Sequence, residues 1–236
     1  HNSSADYAAG HDHPALDAQE YSFTVESRRL KASAVYYFRL YDVASAKPVN
    51  LFSTASNPAA VAESARLVFT IEGLPSATTT AGIVTDITTT ATAIDFGLLP
   101  FADDVIGAQR LTVDTNALDG YQVFKVSDQL LTNGGGSTID NLPTTNAAPG
   151  GWVANCTALS DSCVGYHTTD ATLAGGSARF AATDTYAALH TTLEEVMFSS
   201  IPVDDSHDIV YRIQVTGAQP QGDYTTNIMY IATPVF

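Results

Sequence analysis

The amino-acid sequence predicts an all-β protein, an antiparallel β-sandwich of immunoglobulin-like or jelly-roll-like type with an extended N-terminal strand arm. Three observations predict it. Short runs alternate apolar and polar side chains, the period of a strand with one face in a core. Gly-, Pro- and Asp-rich turns separate those runs. Hydrophobic residues make up 45% of the 236, enough to bury a sizeable core without a metal or a dense set of disulfides.

Residues 1–18 are small, polar and aperiodic, and read as an extended arm. Residues 20–28 (YSFTVESRR with its flanks) and 33–43 (ASAVYYFRLYDV) supply two strands, the second bearing Tyr36, Tyr37, Phe38 and Tyr41 on both faces, as a strand covered on both sides would. Residues 55–65 suit a short helix, with Asn57 as cap and Pro58 in its first turn. From Arg66 onward LVFTIEG, IVTDITTTATAIDF, QRLTVDT, GYQVFKVSD, EEVMFSS, DIVYRIQVT and DYTTNIMYIA follow as strand candidates. Between about 130 and 184 the pattern weakens into a long decorated loop region with a few short strands and a helical turn near 183–190. Loops of this length are often functional. In Ile209–Phe236 two alternating runs flank Gly217, Pro220 and Gly222, which predicts a hairpin whose edge needs further strands. The organisation expected is an arm or donor strand over 1–30 and a sandwich over 31–236. A weak echo links LTVDTNALDGY to IQVTGAQPQGDY; each ends on a Tyr suited to a corner where its hydroxyl satisfies a backbone group, though generic turn grammar also accounts for it.

Ten Lys and Arg stand against 25 Asp and Glu, a net charge of −15. An acidic surface of this size lacks the basic patches that nucleic acid or anionic membranes require. The charge is uneven: residues 1–66 carry six cations and seven anions, and residues 67–236 four and 18. Arg28, Arg29 and Lys31 form a basic knot, and a relatively basic N-terminal element beside an acidic body suits head-to-tail contact between copies. Solvated surface charge is the plainer reading. The chain opens at His1 without an initiator Met, as expected of a mature form after signal-peptide removal or of a trimmed chain. No apolar run approaches the roughly 20 residues of a membrane span.

Cys156 and Cys163 are the only cysteines and read as one small disulfide in an oxidising compartment, with two reduced thiols as the other reading. His11 and His13, two apart, are of metal-ligand type, and Asp103–Asp104, Asp204–Asp205 and Asp208 offer hard oxygens. None matches a defined site, so neither metal nor cofactor is assigned. No G-x-S-x-G, H-E-x-x-H or phosphate-cradling loop occurs. Glu194–Glu195 leave a paired-acid glycosidase as a third, disfavoured reading. Trp152 is suited either to a sugar contact or to anchoring its loop. Asn2 and Asn155 match the N-glycosylation sequon.

On TTTATAIDFG, QRLTVDTNALDGYQV and GDYTTNIMYIATPVF, the stretch from about Ile83 to Phe236 resembles exported bacterial surface β-proteins known chiefly from environmental genomes, a group mostly uncharacterised in function. The resemblance implies export and a β architecture and brings no catalytic residue with it. Residues 1–66 have no counterpart there. An N-terminal strand ahead of a sandwich is also similar to donor-strand filament subunits, which complete a neighbour's open sheet.

The expectation is a non-enzymatic extracellular subunit of a bacterial surface filament (pilus-like) or layer, assembled by β-strand donation between copies. Tyr21, Phe23, Val25, Arg28, Arg29, Tyr36 and Phe38 are its contact residues, and other copies of the chain its partners. The alternative is a cell-surface adhesin or carbohydrate-binding module that uses residues 133–166 and Trp152 on host surfaces or glycans.

Overall fold

A computed structural model describes residues 35–36, 41–42, 47–48, 60–61, 66–156, 162–174 and 178–236. The chain divides into two compact units, residues 1–65 and 66–236. In the first, β1 (Val35–Tyr36) pairs antiparallel with β4 (Ala60–Val61), and β2 (Tyr41–Asp42) with β3 (Lys47–Pro48). Ala60 and Val61 belong to the stretch expected as a helix. They are strand instead, Ala60 pairing with Tyr36 and Val61 with Val35.

Among its described residues the second unit is all-β apart from one helical turn, α1 (Trp152–Asn155). Two twelve-residue strands, β8 (Asp104–Thr115) and β15 (Val203–Gln214), pair antiparallel along their whole length. β5 (Leu67–Gly73) adds to the free side of β8, and β12 (Cys163–Thr168) to that of β15. β10 (Asp140–Asn141) then pairs parallel with β12, the one departure from antiparallel ladders among the described strands. A second sheet has the order β14 (Glu194–Ser199), β9 (Tyr121–Ser127), β16 (Ile228–Pro234), with a register shift between Glu195 and Met197. Two small ladders remain: β6 (Thr79–Thr80) with β7 (Ile83–Val84), and β11 (Gly150–Gly151) with β13 (Thr185–Tyr186).

Both sheets supply one core. Leu111, Val113, Val164, Tyr166, Ile209, Tyr211 and Ile213 enter it from the five-stranded sheet, and Tyr121, Val123, Val196 and Met197 from the three-stranded one. The alternation seen in the sequence is the cause: Tyr121, Val123, Lys125 and Ser127 of β9 are buried while Gln122, Phe124 and Val126 are half-exposed.

Three expectations are corrected. β15 and β16 form no hairpin; they lie in different sheets, and residues 215–227 carry the chain from one to the other. Alternation reports that a face is buried, and is silent on which strand lies alongside. The echoing segment behaves alike, since residues 116–120 carry the chain from β8 to β9. Gly120 makes that link possible: it has φ +78°, and a Cβ there would lie 2.0 Å from the Ser199 carbonyl oxygen. Tyr224 fulfils the corner role, donating from its hydroxyl to the Pro220 carbonyl at 2.7 Å, whereas Tyr121 donates to the Asp205 carboxylate at 2.8 Å.

The Thr-rich run expected as strand over 83–96 is strand only at Ile83–Val84. Its hydroxyls compete with a ladder: the Leu74 amide donates to Thr89 Oγ1 at 2.9 Å, and the Thr78 amide to Thr85 Oγ1 at 3.0 Å. The turn expected as helical near 183–190 contains β13.

Candidate functional site

A cleft of about 1300 Å³ opens on the second unit, lined by both of its larger sheets. The five-stranded sheet supplies Ile71, Gln109, Val164, Tyr211 and Ile213, and the three-stranded sheet supplies Ile228 and Tyr230. A strandless segment, residues 91–99, forms a further wall with Ile94, Phe96, Leu98 and Leu99. Leu98 is 98% exposed and Phe101, at the same rim, 63%. Among the described residues lining the cleft, the only charged ones are Asp95 and Asp223, both carboxylates.

The floor is tied across the sheets. The hydroxyls of Tyr211 (β15) and Tyr230 (β16) share a hydrogen bond of 2.5 Å. Burial pushes both hydroxyls well above the usual phenol range, so both stay neutral at any ordinary pH. The hydroxyl of Tyr230 is enclosed although the rest of its side chain is half-exposed.

Exposure along the core differs between central and edge strands. Leu111, Val113, Val123 and Ile209, on central strands, are fully buried. Leu67, Phe69 and Ile71 on β5, and Ile228, Tyr230 and Ala232 on β16, pack against the same core yet stay half-exposed. Both sets lie on edge strands. An unpaired edge beside uncovered core side chains is a template for another extended segment.

The residues singled out from sequence fall in different places. Tyr21, Phe23, Val25, Arg28, Arg29, Phe38 and Asn2, with His11 and His13, lie outside the described residues. Tyr36 is in β1, opposite Ala60. Cys156 and Cys163 form the disulfide, with Cα atoms 6.0 Å apart. They pack with Leu142, Trp152 and Tyr186 in a small cluster. Trp152 is 2% exposed, stands edge-on to Tyr186 at 5.3 Å, and carries the Arg212 guanidinium 4.8 Å from its ring centre. The ring is thus enclosed by its own unit. Asn155 donates its side-chain amide to the Gly151 carbonyl at 2.8 Å, a bond that attachment of a glycan at that nitrogen would disturb.

Glu194 and Glu195 are each engaged within the protein. Glu194 receives Lys125 Nζ at 3.2 Å, and Glu195 receives Arg179 at 3.2 Å, the Gln122 amide at 3.1 Å and the Ala174 backbone N–H at 2.8 Å. Asp208 pairs with Arg110 at 2.8 Å and Asp205 with His207 at 3.2 Å. Among the described residues no three His, Cys, Asp or Glu side chains are grouped to hold a metal ion, and no helix is long and apolar enough to cross a membrane.

The cleft residues were not singled out from sequence, yet two signals mark them. Ile228 and Tyr230 recur at the strand period in a run that ends at Pro234, and proline inside a strand marks an edge. The apolar residues of Ala91–Leu99 sit in a run that forms no strand. No protein-family model matches the chain, and no curated protein matches its sequence.

Proposed function

We propose that this chain is a non-enzymatic, extracellular structural subunit of a bacterial surface filament or layer, with its two larger sheets as the faces of a sandwich that neighbouring copies complete by β-strand donation. One observation carries the reading: a cleft of about 1300 Å³, walled by apolar and polar residues together, beside the half-exposed inner residues of two edge strands. Core side chains left part-open along two strands, as Leu67, Phe69, Ile71, Ile228, Tyr230 and Ala232 are, favour a surface that something else covers. The donor is the segment Tyr21–Arg29, in which Tyr21, Phe23 and Val25 share one face of an extended run and Arg28 and Arg29 follow. The disulfide fits an oxidising, extracellular setting.

Negative-stain microscopy and light scattering of the purified full chain test this. The expected result is polymers that resist SDS, together with their loss in a Phe23→Asp/Val25→Asp variant that keeps the wild-type circular dichroism spectrum. A chain that stays monomeric across the concentration range overturns it.

A further inference from the structure

We infer that the strand accepted from a second copy docks along the free edge of β16 and covers the inner flank of β5 from the opposite sheet; this rests on the strand-exchange reading above.

The backbone of β16 sets the direction of its unused groups. The Asp128 amide donates to the Asn227 carbonyl at 3.0 Å, and the Val235 amide to the Gly120 carbonyl at 2.9 Å. Hydrogen-bonded pairs alternate along an antiparallel ladder. With the register Ile228↔Ser127 to Pro234↔Tyr121, it is Met229, Ile231 and Thr233 that bond β9. Ile228, Tyr230 and Ala232 therefore aim their N–H and C=O groups away from β9, where no described strand lies. Pro234 occupies the next such position. It has no N–H to offer, so it is tolerated there and brings the run of pairing sites to an end. Ile228, Tyr230 and Ala232 are the same three residues whose inward side chains stay half-exposed.

Other edges fit less well. A strand added to β5 would widen the five-stranded sheet and leave Leu67, Phe69 and Ile71 uncovered, because those side chains face the opposite sheet. A strand beside β16 would lie on the side where they stay half-exposed, because β16 itself approaches β5. β14 is an edge too, but its Val196 and Met197 are already fully buried.

The occupant is Tyr21–Arg29 of another copy. Tyr21, Phe23 and Val25 match Ile228, Tyr230 and Ala232 in number and spacing, and residues directly opposite in a ladder turn their side chains to the same face. Nine residues extend about 30 Å, longer than the roughly 23 Å of β16, so Arg28 and Arg29 reach past its end. Asp95 and Asp223 supply the complementary charge on the cleft.

Cysteine cross-linking of polymers of the full chain tests the edge. Thr24→Cys alternates with the inward residues of the donor. It is combined with Met229→Cys or Ile231→Cys on the outer face of β16, and separately with Val68→Cys on the outer face of β5. Met229 and Val68 are 61% and 45% exposed, so these changes leave the core alone. After mild oxidation and heating in detergent, the β16 variants are expected to give a ladder of covalent oligomers that reductant collapses, and the β5 variant none. A ladder from Val68→Cys alone overturns the β16 assignment. So do polymers that give no ladder with any pair, and in both cases strand exchange still stands. Absence of polymers removes strand exchange itself and the assignment with it.

Discussion

Lys125 stands where the strand pattern of β9 turns a charged side chain into the core. Its side chain is fully buried, with Nζ 3.2 Å from Glu194 and 4.1 Å from the centre of the Tyr166 ring. Burial pushes the amine below its usual range, and Glu194 opposes that shift. Removing one member of a buried pair strands the other charge, at a cost of about 3–5 kcal/mol, whereas replacing both with apolar groups is often neutral. Urea denaturation of Glu194→Leu should therefore show a large loss, and Lys125→Met/Glu194→Leu should recover most of it. A double variant as unstable as the sum of its singles would show the pair to be uncoupled. Two histidines respond to acid in opposite senses. Burial holds His167 below the ordinary imidazole value, so the stability it confers is full above about pH 6.5 and falls away as acid protonates the unfolded chain first. Burial also lowers His207, but the hydrogen bond with Asp205 and the nearby Asp170 and Asp208 more than offset it and raise its pKa. The contribution of His207 is therefore full below about pH 6.5 and is lost as pH rises through its raised value. Thermal melts between about pH 5 and 8 should show His167→Gln less sensitive to acid than wild type, and His207→Gln more sensitive. Slopes that change in the same direction in both variants would contradict the assignment.

At the scale of the element, Trp152 marks the line between packing and recognition. It opens a single helical turn and fills a cluster with Tyr186, Leu142 and the Cys156–Cys163 bridge. Trp152→Ala should cost about 3–5 kcal/mol, as truncations of buried aromatic residues do. An exposed sugar platform would instead lose less than about 0.5 kcal/mol, so a melting curve separates the two roles. Such elements differ in how far their sequence reveals them. LVFTIEG is read to the residue, because one face of β5 packs on a core and its alternation is unbroken. β9 is read as well, whereas the pairing of its buried Lys125 with Glu194 depends on a partner far away in sequence and is not. The Thr-rich run is misread because strand propensity and hydroxyl-to-backbone bonding use the same residues. Ile209–Phe236 is misread for another reason: turn residues signal a reversal of the chain, while the sheet that the returning strand joins depends on side chains far away in sequence. The cleft is hidden in the same way, since its walls come from segments between residues 71 and 230 that share no local motif.

At the scale of the whole molecule, charge and shape act at different stages of the proposed assembly. Residues 67–236 carry 18 anions against four cations, so two bodies repel each other at distance. The segment with Arg28, Arg29 and Lys31 is the natural counter to that repulsion, and the cleft it would approach has carboxylates as its only charged lining among the described residues. Electrostatic steering acts on the encounter and is screened beyond about 10 Å at 0.1 M salt. Once a strand is docked, its hold comes from backbone pairing and from covering Leu67, Phe69, Ile71, Ile228, Tyr230 and Ala232, and neither contribution is weakened by salt. The two stages therefore separate in one experiment. Raising salt tenfold from low ionic strength should change the rate of polymer growth on the order of tenfold, while polymers already formed should persist through the same change. Arg28→Glu/Arg29→Glu should slow growth at low salt and leave the finished polymer as resistant to SDS as wild type. Dissolution of preformed polymers by salt alone would place the holding energy in ion pairs rather than in the strand, and the cleft beside β16 would then have no part in keeping subunits together.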